Sequence, residues 1–199
     1  ATDYEKFQKW ARTIPYLLRN PLYHWTHMEL KTYFGINKIL NPDTAGEIYE
    51  ATSQMLQTPQ FSVRNLLRKM NIKLVCTTEG PLDSLQAHRK VHKENFDIKV
   101  YSAFRPDKAL AVENINKINT WIDRLAEVSN IEITDSDSLL QALQHRHDYF
   151  HENGCRLSDY GIETVYAEEY TENEINRIFK KIRTAPSDVP SGSTSLDAM

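Results

Sequence analysis

With 199 residues, 40% of them hydrophobic, the chain is long enough to bury a core, which excludes a wholly disordered segment. Its 24 Lys and Arg stand interspersed among 27 Asp and Glu, for a formal net charge of -3, so no basic face marks a nucleic-acid partner. No apolar run approaches the roughly 18 residues of a membrane span, and the charged opening stretch of residues 1–9 does not resemble a leader. These features point to a cytoplasmic protein with a small-molecule partner. The first residue is Ala and runs straight into an amphipathic pattern, from which an upstream segment is expected. Cys76 and Cys155 belong to no CxxC pair and are expected to be buried free thiols in a reducing compartment.

The first seventy residues predict helices and no strand. Phe7, Trp10, Ala11 and Ile14 recur at helical spacing and stop at Pro15. Thr44 and Glu47 have the spacing of a capping box ahead of Ile48, Thr52, Met55 and Leu56. Ser62 is placed to cap a further helix, with Phe61 and Leu66 as a hydrophobic staple and Val63, Leu66, Leu67 and Met70 as its stripe.

From Asn71 the pattern changes to strands followed by helices. A strand over 71–78 precedes a helix over 83–93, and a strand over 96–105 precedes a helix over 113–128 with Ile115, Ile118, Ile122 and Leu125 on one face. A helix over 136–152, carrying Leu139, Leu140, Leu143 and Phe150, ends before Gly154 and leads to a third strand over 155–159. A last helix spans 172–183, and the Ser-, Pro- and Gly-rich tail over 184–199 is expected to be disordered. Alternating strands and helices imply right-handed βαβ units with parallel strands. The fold class expected is α/β: a helical subdomain over 1–70 and a partial (β/α) barrel over 71–183, three strands where a closed barrel needs eight.

In parallel α/β folds, reactive groups gather at the carboxyl ends of strands, where helix N-termini offer partial positive charge. Those positions hold Thr77, Thr78 and Glu79; Arg105 and Asp107; and Ser158, Asp159 and Tyr160. Arg105 stands out, because a planar guanidinium suits bidentate binding of a carboxylate or of vicinal oxygens. The alternative is a salt bridge to Asp107 or Glu79.

The histidines invite a metal reading and mostly do not support it. His145 and His147 sit two apart in a helix and so point about 200° apart. The pairs His88/His92 and His147/His151 share a face but lack the intervening Glu of a zincin and a third ligand, so they are expected to be solvated. His24 and His27 flank Trp25 and are expected to pack and hydrogen-bond. No GxSxG, GxGxxG or GxxxxGK[ST] occurs, which weighs against serine-hydrolase and nucleotide-binding readings.

Four segments, NPLYHWTHMELKTYFG (20–35), CTTEGPLDSL (76–85), FRPDKAL (104–110) and GCRLSDYGI (154–162), together resemble the uronate isomerases of the amidohydrolase superfamily. The resemblance covers residues 3–183. It implies a TIM-type barrel in which residues 1–70 form an insertion after the first strand. It also implies aldose–ketose isomerisation of hexuronates, glucuronate to fructuronate and galacturonate to tagaturonate, by an intact enzyme of which this chain is an inactive internal fragment. A divalent metal, expected to be zinc, would be held by an HxH and an Asp on strands that this chain lacks, so no metal ligand is assigned here. Arg105 is the residue carried over as substrate-binding, and Thr78, Asp107, Asp159 and Tyr160 are further strand-end candidates. Where relatives read SDHG this chain reads Ser158, Asp159, Tyr160, Gly161, replacing an imidazole with a phenol that is a neutral hydrogen-bond donor. The alternative reading is a non-catalytic relative that associates, as a homo-oligomer, through the open edges of an unclosed sheet.

Overall fold

The computed structural model describes residues 1–162 and 168–184. The chain divides into two compact units, Ala1–Lys73 and Leu74 onward.

The regular elements of the first unit are all helical: α1 (Asp3–Thr13), α2 (Pro21–Phe34), α3 (Ala45–Leu56) and α4 (Val63–Lys69), with short 3-10 turns at Ile14–Tyr16 and Pro59–Phe61. Thr2 and Glu5 form a capping box that starts α1. Asn20 caps α2, Pro21 occupies its first turn, and Gly35, at φ 69°, closes it by letting Ile36 N–H reach back to the Leu30 carbonyl. Ala11, Ile14, Leu30, Leu40, Ala45 and Ile48 form the core, with Phe7 and Trp10 packed on it, so the stripe read from α1 is the one buried.

Two cap assignments are corrected. Thr44 makes no side-chain bond into α3, because its hydroxyl turns back to accept from Asn41 N–H and donate to the Ile39 carbonyl, while Glu47 pairs with Lys38. Ser62 likewise makes no side-chain cap, and Val63, 75% exposed, is not part of a buried stripe. A helix of seven residues offers its apolar positions less than two full turns, too few to fix one face.

The second unit opens with β1 (Leu74–Glu79), α5 (Gln86–Lys93) and β2 (Lys99–Phe104), a βαβ unit whose strands pair in parallel from Leu74↔Lys99 to Glu79↔Phe104. Both strands start three residues later than the sequence pattern suggests; the first does so because Asn71, in left-handed backbone, and Ile72 still close the preceding helix, and Asn95 closes α5 in the same conformation. The start of α5 is delayed too, since the Asp83 carboxylate accepts from Leu85 N–H and holds the approach as a turn.

The third strand expected over 155–159 is corrected to a single parallel bridge, Phe104↔Ser158. The segment reaches β2 only at its last residue, so it makes two ladder bonds, Phe104 N–H to the Leu157 carbonyl and Asp159 N–H to the Phe104 carbonyl.

Three further helices, α6 (Ile115–Ser129), α7 (Ser136–Glu152) and α8 (Glu172–Thr184), cover this unit. Ile118, Trp121, Ile122 and Leu125 of α6 pack with Ile133, Ala142 and Phe179 in one core. Leu85, Phe104, Phe150 and Cys155 form another beside β2. Leu140 is exposed, because it stands off the face on which Leu139 and Leu143 pack. Thr184 closes α8, and residues 185–199 of the expected disordered tail lie outside the described residues. Cys155 is buried as expected, but Cys76 is exposed, because β1 turns it to the face opposite Thr77 and Glu79.

Candidate functional site

β2 ends at Phe104, and the next residue, Arg105, donates its backbone N–H to the Glu79 carbonyl at the end of β1 (2.9 Å). Parallel pairing thus sets Arg105 at the carboxyl end of both strands. Its Nη2 donates to Asp159 Oδ2 at 2.5 Å, and its Nε lies 3.6 Å from Asp107 Oδ2. Neither Nε nor Nη1 makes a hydrogen bond among the described residues.

Asp107 is held in turn by the backbone. Its Oδ2 accepts from Gly161 N–H at 3.0 Å, and a Cβ at residue 161 would come within 2.9 Å of that oxygen. A side chain at residue 161 would have to displace that carboxylate. The same bond brings the 158–161 segment alongside Arg105, so one cation faces two carboxylates that reach it from two different loops.

Of the residues singled out in the sequence, the structure therefore brings Arg105, Asp107 and Asp159 together. It does not bring Thr78 or Tyr160 to them. Thr78 points to the exposed face of β1, and Tyr160 is 54% exposed with no hydrogen bond among the described residues. The salt-bridge alternative for Arg105 is realised chiefly through Asp159, more distantly through Asp107, and not through Glu79.

Glu79 is engaged elsewhere, in a cluster that sequence reasoning missed. Thr77 Oγ1 donates to Glu79 Oε1 at 2.8 Å and lies 2.8 Å from His88 Nε2. The hydroxyl has one proton, so His88 is the donor to Thr77 and carries its proton on Nε2. The His88 side chain is only 11% exposed, which corrects the expectation that it is solvated. The signal was present: Thr77 and Glu79 alternate onto the face of β1 that α5 must cover. His92, by contrast, is exposed and reaches the Val100 carbonyl.

Arg146 was also missed, because a cation in mid-helix reads as solvent-facing. It is buried, and it donates to the carbonyls of Pro81 (2.7 Å), Asp83 (2.8 Å) and Val128 (3.4 Å) while its guanidinium lies over the Tyr149 ring. Burial pushes its pKa below the usual guanidinium value. The turn after β1 is thereby anchored to α7.

His145, His147 and His151 are all exposed and do not converge. His27 hydrogen-bonds as expected, with Nδ1 to the Tyr23 carbonyl and Nε2 accepting from Leu40 N–H. Among the described residues no three His, Cys, Asp or Glu side chains are placed to hold a metal ion, so these residues do not by themselves fit a divalent cation. No described helix is long and apolar enough to cross a membrane.

The family model of glucuronate isomerase matches residues 1–192. The chain belongs to that family. Similar proteins include the uronate isomerase of Bacteroides fragilis, 52% identical over 181 residues, and that of Cellvibrio japonicus, 50% identical over 185 residues. These alignments cover 91% and 92% of this chain but 39% of each relative, so the chain spans about two fifths of their length. Among solved structures, the uronate isomerase of Thermotoga maritima superposes with a TM-score of 0.84 at 28% identity, over 96% of this chain and 42% of that one. The glucuronate isomerase of Caulobacter crescentus gives 0.81 at 27% identity, over 93% and 38%.

Proposed function

We propose that this chain is part of an enzyme that interconverts aldo- and keto-hexuronates, glucuronate with fructuronate and galacturonate with tagaturonate, and that Arg105 binds the substrate. The observation that carries this reading is the position of Arg105: the carboxyl end of two parallel strands, with the side chain 40% exposed and Nη1 without a hydrogen bond among the described residues. Nη1 and Nη2 form one edge of the guanidinium, and once a substrate oxygen displaces Asp159 from Nη2 that edge suits the carboxylate that distinguishes a uronate from a neutral sugar. Asp159 at Nη2 and Asp107 near Nε hold the guanidinium in this orientation.

In this reading β1 and β2 are neighbouring strands of a TIM-type barrel of the amidohydrolase superfamily, and residues 1–70 are an insertion in it. A divalent metal, expected to be zinc, would be held by residues of strands outside this chain. Two free cysteines support a cytoplasmic setting.

The test compares the 199-residue chain with the same chain extended by the remaining strands, assayed for glucuronate-to-fructuronate conversion with added zinc. The extended protein is expected to turn over and the short chain not. Arg105→Ala in the extended protein should lower kcat/KM by well over tenfold, since a charge-assisted contact contributes roughly 1.5 to 3 kcal/mol. Unchanged kinetics would overturn the substrate role of Arg105. If neither protein turns over, the association reading gains. It is favoured by β1, whose outer edge has no strand partner among the described residues.

A further inference from the structure

We propose that the cavity between the turn after β2 and the first half of α6 binds a small organic anion: an apolar ring or branched chain that bears one carboxylate or phosphate. The cavity has a volume of about 460 Å³, within the range that takes small molecules. Leu82, Ile118 and Trp121 supply its apolar lining, and Lys108, Lys117 and Arg124 its charge. Neither Arg105, Asp107 nor Asp159 lines it, so it is a separate place from the strand-end site.

Helical spacing explains the arrangement. Lys117, Trp121 and Arg124 fall at i, i+4 and i+7 on α6, one face, so a cation stands on either side of the indole. Lys108 joins them from the 3-10 turn Asp107–Leu110. All three cations are exposed, and among the described residues none makes an ion pair with a carboxylate, whereas Lys38, Arg105 and Arg183 each do.

Three like charges brought to one opening without a counter-charge repel one another, and this in a chain whose formal net charge is -3. An anion relieves that repulsion, and the opening repels a cation. The apolar lining decides the rest of the ligand. An inorganic anion would make no apolar contact with Leu82, Ile118 and Trp121, whereas a ring or branched chain packs against them.

The test titrates the 199-residue chain with phenyl phosphate and, in parallel, phenylacetate, and reads the indole N–H signals in proton–nitrogen correlation spectra. The chain has 3 tryptophans, and Trp10 and Trp25 lie in the other unit, so Trp121 is the local reporter, assigned with Trp121→Phe. At least one organic anion should shift the Trp121 signal saturably and leave Trp10 and Trp25 unmoved. Benzyl alcohol and inorganic phosphate should each bind at least about tenfold more weakly, a difference of about 1.4 kcal/mol.

The double variant Lys117→Glu, Arg124→Glu, which alters only exposed side chains, should weaken binding at least about tenfold while the rest of the spectrum and the thermal midpoint hold. Equal affinity for benzyl alcohol, unchanged affinity in the charge-reversed variant, or no saturable shift by either anion up to about 10 mM would each overturn the proposal.

Discussion

Arg105 and Asp159 lie 54 positions apart in the chain, yet Nη2 of the one meets Oδ2 of the other at 2.5 Å. The contact joins the end of β2 to the segment that follows α7. Both side chains are about two fifths exposed, 40% and 42%, so water competes for each partner. Ion pairs of that exposure contribute roughly 0 to 1 kcal/mol. A double-mutant cycle of Arg105→Ala and Asp159→Ala, followed by urea denaturation, should return a coupling below about 1 kcal/mol. A coupling above about 2 kcal/mol would show a fixed structural strut, not a hold that a substrate carboxylate could displace.

Arg146 presents the opposite case. Its charge is buried, and its partners are three main-chain carbonyls and the Tyr149 ring. Arg146→Met would leave those carbonyls short of donors, and a loss of about 3 kcal/mol in unfolding free energy is expected. Arg146→Lys should recover only a small part, because an ammonium cannot fork to carbonyls on two sides. Urea unfolding of both variants checks this; if Met and Lys behave alike, the geometry of the fork is irrelevant.

Phe150 is fully buried and packs edge-on against Phe104, with ring centroids 5.1 Å apart, next to Leu85 and Cys155. Phe150→Ala removes a ring from the cluster that supports the end of β2, at an expected cost of about 3 to 5 kcal/mol. Phe150→Leu should cost clearly less, since it leaves a smaller cavity. Equal midpoints for the two variants in chemical denaturation would mean that this cluster relaxes around the gap.

Asp135 caps α7 and accepts from both the Ser138 hydroxyl and its backbone N–H, bonds that hold its pKa below the ordinary carboxylate value of 3.8. A carboxyl with a depressed folded-state pKa stabilises the fold at pH values above its unfolded pKa. That contribution is lost as pH falls through the folded one. Asp135→Asn keeps an acceptor but no titrating charge. Its thermal midpoint should lie slightly below that of the parent at neutral pH, and the gap should close below about pH 3. A gap that stays constant from pH 7 to about pH 2 would count against the capping account.

Much of the fold was legible in the sequence because its signals are local. The helix over 136–152 is legible because Gly154 follows its end and Leu139, Leu143 and Phe150 repeat at helical spacing, and the structure adds Asp135 as its cap. The stripe Phe7, Trp10, Ala11, Ile14 and the face Ile118, Ile122, Leu125 were legible for the same reason. Local spacing misled where a side chain had a nearer partner. Thr44 took Asn41 and Ile39 in place of its helix, and Asn71, in left-handed backbone, made the start of the first expected strand a helix ending.

The sequence by itself determined the helical first unit, the βαβ character of the second, and Arg105 at a strand end as the residue to watch, because periodicity and alternation are properties of neighbouring residues. Only the tertiary structure decided that Asp159 is the main partner of Arg105 and that His88 is enclosed with Thr77 and Glu79. It alone decided that Arg146 is buried, that Cys76 is not, and that the 155–159 segment touches β2 at one residue. Each of these depends on which distant segment comes to rest against a given face, and that is settled by packing among elements separated by tens of residues, which spacing along the chain does not encode.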